Sequence, residues 1–266
     1  MIPIGDDQKS ARPPLGTYGL LAALGLTWVL AQGAGFSAYT LAASVCNWGL
    51  VPGELTHHAP LGMAVPIGAG LACVVDDQPI NVLTPITAMF LHGSWGHLLG
   101  NALFLWVFGR AVEDGMGTKR FLVYYLVCGL LAAGTHVLIN RSSAVPMVGA
   151  SGAIAGVLGG YLALYPWTRV RVLLLWLVVV QVPAAFMLIW WIGLQLLMAL
   201  PQLGSLSAQV SAVAVWAHIG GFAAGYGLVQ TFSDERLFRQ HQEATASFHR
   251  ERDQAARMNQ NPPPWQ

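Results

Sequence analysis

The chain has 266 residues, of which 55% are hydrophobic and only 9% charged. An ordinary soluble domain carries about a quarter charged residues, so a fold with a fully hydrated surface is excluded, and a membrane-embedded helical bundle is the architecture that remains. The net charge of +1, with no basic patch outside short loops and the tail, gives no sign of a nucleic-acid partner, and none is expected.

The first apolar run follows Lys9 and Arg12, but Asp6 and Asp7 spoil the basic region that a cleaved signal would need, so it reads as a retained span. Uncharged stretches predict six spans in all, at residues 15–32, 85–108, 121–139, 149–165, 172–200 and 208–232. The 62 residues between Arg171 and Asp234 contain no charge, about three times the roughly 20 residues that cross a hydrocarbon core. The polar turn at 201–207 divides them into two helices, and Pro183 is expected to bend the first.

Six spans put both termini on one side. That side then holds 12 of the 13 basic residues, only Arg141 falling opposite, which orients the termini to the cytoplasm. Residues 1–14 are a cytoplasmic segment, 15–232 the membrane domain, and 233–266 a tail that extends the sixth helix and then disorders. The outer loop, about 33–84, carries Glu54, Asp76 and Asp77 with no Lys or Arg, and its apolar stretches at 36–45 and 61–75 are expected on the membrane surface. Three cysteines make no disulfide framework. Cys128 lies in an apolar span. Cys46 and Cys73 share the outer loop and would pair if it faces an oxidising compartment, but free thiols in an apolar setting are the expectation taken here.

Polar groups inside spans are costly and are candidates for function. The second span opens with His92 and His97 and reaches Asn101. The fourth opens with Gly149-Ala-Ser151-Gly152, and the sixth carries Ala217-His218 followed by Gly221 and Gly225. Counted from the charge that ends each span, Ser151 lies 18 residues up and His218 and His97 lie 16 up, or about 27 and 24 Å. All three therefore share one plane below the outer surface. Gly152 with Gly156, and Gly221 with Gly225, form stripes that let two membrane helices approach closely. The fourth and sixth helices should pack together and bring the serine hydroxyl to the imidazole.

That pairing suits nucleophilic catalysis, because a serine hydroxyl attacks only when a base takes its proton. No Asp or Glu lies within a turn of His218, so the arrangement is a dyad. His97, Asn101 and the Ser151 N–H are the candidate oxyanion donors. A metal site is not indicated: His92 and His97 lack an HExxH pattern and a nearby carboxylate. Glu113 reads as a structural hydrogen-bond or ion-pair partner, Trp190 and Trp191 as lipid-facing or interfacial aromatics, and His136 as a packing residue.

These motifs together resemble the rhomboid intramembrane serine proteases, over about residues 83–226. Gly109, Glu113 and Gly117 also match that family's loop after the second span, and Gly49-Leu-Val-Pro-Gly-Glu-Leu55 resembles the first loop of several bacterial members. The resemblance implies an all-α, six-helix membrane bundle in a bacterial inner membrane with no metal or cofactor. It implies Ser151 as nucleophile, His218 as base, His97 and Asn101 at the oxyanion, and His92 in a hydrated mouth. Its partners would be the lipid bilayer and single-span membrane protein substrates, cut near the outer face. A catalytically silent rhomboid-like chaperone is the alternative, which the presence of both Ser151 and His218 disfavours. The sequence departs from the best-known bacterial branch in two places: the first loop lacks a Trp-Arg pair, and Gly100 stands where that branch has a bulky aromatic. Loop anchoring and gating would differ accordingly.

Overall fold

A computed structural model describes residues 1–174, 177–204 and 214–260. The fold is predominantly helical, but not all-α as the sequence suggests, since short strands flank the bundle. β1 (Ile2–Asp6) precedes α1 (Leu15–Leu30). The segment expected as the outer loop folds into α2 (Ala38–Trp48), α3 (Pro52–Leu55), the hairpin β2 (Ala64–Gly68) and β3 (Leu71–Val74), and α4 (Thr84–Thr87). The bundle continues with α5 (Trp95–Met116), α6 (Thr118–Ile139) and α7 (Ser151–Leu164). After the hairpin β4 (Arg169–Leu174) and β5 (Val178–Pro183) come α8 (Ala184–Gly204), α9 (Val215–Phe232) and α10 (Glu235–Gln260).

The packing is arranged for an apolar solvent. Leu26, Val29, Leu131, Ile189, Trp190 and Leu197 point outward and are exposed, whereas every residue of 152–161 on α7 is buried. Large apolar side chains thus face outward, while Gly152, Gly156, Gly159 and Gly160 keep the buried α7 slim enough for close helix packing, as expected where lipid rather than water surrounds a bundle. Thr118–Ile139 and Ala184–Pro201 are long and apolar enough to cross a membrane. α7 has only 14 residues, about 21 Å at 1.5 Å per residue, so its ends fall short of a hydrocarbon core about 30 Å thick.

Two carboxylates organise the end of the bundle away from Ser151. α1 starts after Pro14 without a side-chain cap of its own. Glu113 of α5 supplies one from outside, accepting from the N–H groups of Gly16 and Thr17 at 2.7 Å, and from the hydroxyls of Thr17 and Thr118 at 2.8 and 2.7 Å. A carboxylate there also suits the positive end of the helix. Its neighbour Asp114 accepts from the Ala11 N–H at 2.7 Å and Arg12 Nε at 2.9 Å, and lies 2.7 Å from His241 Nδ1. Gly117, at φ 82°, turns the chain between α5 and α6.

Five expectations need correction. The span expected at 172–200 does not begin as a helix: β4 pairs with both β1 and β5 in an antiparallel sheet, and α8 starts only after Pro183. Pro183 closes β5 rather than bending a helix. The alternation of exposed Arg169 and Arg171 with buried Val170 and Val172 is strand periodicity, and β1 gives those residues a partner. The tail does not prolong the sixth helix. Ser233 is extended at ψ 147°, and α10 packs back so that His241 is fully buried. The second span does not open at His92, because α5 begins at Trp95, with the Ser94 hydroxyl accepting the His97 N–H at 3.1 Å. Cys46 and Cys73 are not free thiols but form a disulfide, because α2 lies along β3 and brings their Cα atoms to 5.2 Å. Of the polar turn expected at 201–207, residues 201–204 are still part of α8, while residues 205–207 and the Pro-rich end at 262–264 lie outside the described residues.

Two outcomes are expected of the outer loop. Reducing Cys46–Cys73 lowers its local stability by about 2–4 kcal/mol, read from faster hydrogen exchange in residues 38–48 and 71–74; unchanged protection would contradict the bond. Glu54 is buried, which pushes its carboxyl above the ordinary value. The Asp76 N–H donates to it and partly offsets this, while the Asp76 charge adds to the rise. The folded loop thus holds a proton that the unfolded loop has already released just above the ordinary carboxylate range, so stability falls as pH rises through that window. Glu54→Gln should melt higher than the parent near neutral pH and like the parent at about pH 3.5.

Candidate active site

The site forms where α7 and α9 meet at backbone contact. A Cβ on Gly221 would lie 2.1 Å from the Gly152 carbonyl oxygen, and one on Gly225 would lie 1.9 Å from that of Gly156. Neither position accepts a side chain without moving a helix. Tyr124 of α6 clamps the crossing, its buried hydroxyl 2.8 Å from the Gly156 carbonyl and 2.9 Å from that of Gly225. Two further residues of α6 pack at the same crossing, Ala132 against Gly152 and Cys128 against Gly156.

This contact fixes the relation between the first residue of α7 and a residue one turn into α9. Ser151 Oγ lies 2.8 Å from His218 Nε2. The other ring nitrogen, Nδ1, lies 2.9 Å from Oε1 of Gln195 on α8. Trp191, one turn earlier on α8, sets its ring 5.8 Å from that of His218 and 6.2 Å from that of Phe222. Trp191 is therefore not a lipid-facing aromatic, whereas Trp190 is exposed. Sequence reasoning missed Gln195. Its signal was a lone amide within the apolar run 184–200.

Gly149 shapes the approach to Ser151. Its φ of 129° is a conformation open to glycine, and a Cβ there would lie 2.7 Å from the His97 ring. Its N–H donates to the Ala88 carbonyl at 2.8 Å, which anchors the loop before α7. Ser151 opens α7, so its N–H belongs to the first turn, where amides have no partner within the helix. His97 and Asn101 share one face of α5 and line a cavity of about 500 Å³ together with Ser151, Gly149 and His218. His136 lines the same cavity.

His92 does not sit at a hydrated mouth. It is fully buried behind Asn101, whose Nδ2 lies 3.0 Å from His92 Nε2. The backbone of His92 is held at both ends by one side chain of the loop after α1: Gln32 Oε1 accepts its N–H at 2.8 Å, and Gln32 Nε2 donates to its carbonyl at 2.7 Å. An asparagine amide has two N–H groups, so one can fix Asn101 on His92 while the other faces the cavity. Chemically, the arrangement offers a hydroxyl in contact with an imidazole, several N–H donors beside it, and room for a peptide segment and water. Among the described residues no group of three or more His, Cys, Asp or Glu could hold a metal.

Comparison with known sequences finds that residues 80–235 match the family described as "Rhomboid domain". The chain is 43% identical over 81 residues to the rhomboid protease GluP of Bacillus subtilis, covering 30% of this chain and 15% of that protein. It is 40% identical over 78 residues to the putative rhomboid protease YdcA of the same organism, 29% of this chain and 38% of that protein. Rhomboid-like protein 11, chloroplastic, of Arabidopsis thaliana is 41% identical over 71 residues, 27% of this chain and 25% of that protein. The matched segments thus span well under half the length of these relatives.

The α7–α9 contact yields a direct test. Gly225→Val should lower the melting temperature in detergent, since overpacking of this kind costs about 1–3 kcal/mol or more. Ser151→Ala, which removes one hydroxyl from a cavity wall, should melt close to the parent. A Gly225→Val protein that melts like the parent would show that the two backbones do not touch there.

Proposed function

The chain belongs to the rhomboid family, and we propose that it is a serine endopeptidase of the membrane that cuts single-span membrane proteins with Ser151 and His218. The observation that carries this reading is the 2.8 Å contact between Ser151 Oγ and His218 Nε2 inside an apolar bundle. A part-buried serine–histidine contact in an apolar bundle costs free energy to desolvate, and proton transfer from nucleophile to base gives it a use. In the proposed reaction Ser151 Oγ attacks the scissile carbonyl while His218 Nε2 takes its proton, then returns it to the leaving amine. Water admitted to the cavity hydrolyses the acyl-enzyme with the same histidine as base. The Ser151 N–H, His97 and the free N–H of Asn101 would receive the oxyanion, with His92 and Gln32 keeping Asn101 in place. Gly149, Gly152, Gly221 and Gly225 act by geometry alone.

We further propose six spans with both termini in the cytoplasm and cleavage near the opposite face, in a bacterial inner membrane. The bias of basic residues supports that orientation. So does the Cys46–Cys73 disulfide, since such bonds persist in oxidising compartments and the outer loop would face one.

The test is cleavage of a generic single-span substrate by the purified chain in detergent or liposomes. The parent should cleave it, and Ser151→Ala and His218→Ala should not. His97→Ala and Asn101→Ala should each slow turnover on the order of 10²-fold. A Ser151→Ala protein that cleaves as the parent does would remove the proposal.

A further inference from the structure

Before Pro201, α8 carries a single amide in an otherwise apolar helix. Between Pro183 and Pro201 every side chain is apolar or aromatic except that of Gln195. A lone amide on a membrane helix is costly unless it finds a partner, and Gln195 faces inward, buried, with Oε1 2.9 Å from His218 Nδ1. The opposite ring nitrogen faces Ser151 Oγ at 2.8 Å. The three groups form one line: amide oxygen, imidazole, hydroxyl.

A neutral imidazole carries a single ring proton, so the partner of one nitrogen decides the state of the other. An amide oxygen at Nδ1 accepts an N–H there, which leaves the lone pair of Nε2 directed at the Ser151 hydroxyl. In the other tautomer Nε2 carries the proton, donates it to Ser151, and has no lone pair with which to take the serine proton. We propose that Gln195 is a positioning residue that holds His218 as the Nδ1–H tautomer, so that the dyad works with an uncharged third partner supplied by α8. The proposal rests on the reading of Ser151 and His218 as nucleophile and base.

The chemistry explains why an amide suits this place. A carboxylate would steady the imidazolium more strongly, but burying its charge in an apolar bundle is far more costly. An amide oxygen selects the tautomer and stays neutral throughout. Trp191 adds a second restraint from the same helix face, its ring against that of His218. The separation of four residues puts both contacts on one side of α8. In this arrangement α7 supplies the nucleophile, α9 the base, and α8 the group that sets the base's proton.

The experiment compares the parent chain with Gln195→Leu, which keeps apolar bulk without an acceptor, and Gln195→Glu, which restores an acceptor oxygen. Nitrogen-15 imidazole spectra report the tautomer, with the His218 signals assigned by their loss in His218→Asn. The parent should show a proton on Nδ1 and none on Nε2. Gln195→Leu should lose that preference and lower kcat about tenfold or more with little change in KM, while melting within a few degrees of the parent. Gln195→Glu should regain the Nδ1–H signal and at least part of kcat. An unchanged tautomer and kcat in Gln195→Leu would overturn the proposal. So would Leu and Glu variants that are equally slow with Nδ1 still protonated, since Gln195 would then only pack. A parent that cleaves nothing would defeat the protease reading instead, and the tautomer spectra would still decide the role of Gln195.

Discussion

Two backbones cannot approach to van der Waals contact if either carries a side chain at the crossing, and the meeting of α7 and α9 depends on that constraint. The carbonyls of Gly152 and Gly156 occupy the space where Gly221 and Gly225 would carry a Cβ. Because helices are stiff, this contact leaves little freedom at their ends, and Ser151 and His218 lie within a turn of it. Lipid offers no hydrophobic drive to push helices together, so close packing and the buried Tyr124 hydroxyl have to hold the crossing. The remaining elements act from around it: α6 clamps it, α5 faces it across the cavity, and α8 closes over the imidazole.

A second consequence concerns depth. α7 is too short to span a hydrocarbon core, and its first residue is Ser151. In the six-span reading proposed above, the loop before it, bent by Gly149 and tied to Ala88, enters the bundle below the surface. Non-helical backbone is tolerated at such depth only where it is buried in protein or lines a watered cavity, and the cavity beside Ser151 meets that condition. The polar groups that line it form a supported set, in which Gln32 holds the backbone of His92, His92 holds Asn101, and the His97 ring covers Gly149.

Much of this was legible in the sequence, for reasons that can be stated. Polar residues in uncharged spans and glycines at four-residue spacing are local patterns, and they drew attention to Ser151, His218, His97 and Asn101 and to the approach of two helices. Residue counting gives the depth of Ser151 only in part, because a continuous helix from Ser151 to Arg169 is not formed: α7 ends at Leu164 and Arg169 belongs to β4. Long-range pairings were not legible. Nothing local joins residues 2–6 to residues 170–173, so the β1–β4 ladder went unseen and its strand was read as the start of a span. The same holds for Cys46 and Cys73, whose approach depends on how α2 lies against β3, and for Gln195, whose meaning depends on which helix face turns toward His218.

The central claim, that the α7–α9 contact turns Ser151 into an activated nucleophile through His218, is tested most directly by covalent labelling with a fluorophosphonate, mapped by mass spectrometry. The account predicts a single adduct on Ser151 in the parent, and none on the same protein carrying His218→Ala. An adduct on Ser151 that forms as readily without His218, or no adduct at Ser151 in a folded parent, would contradict it.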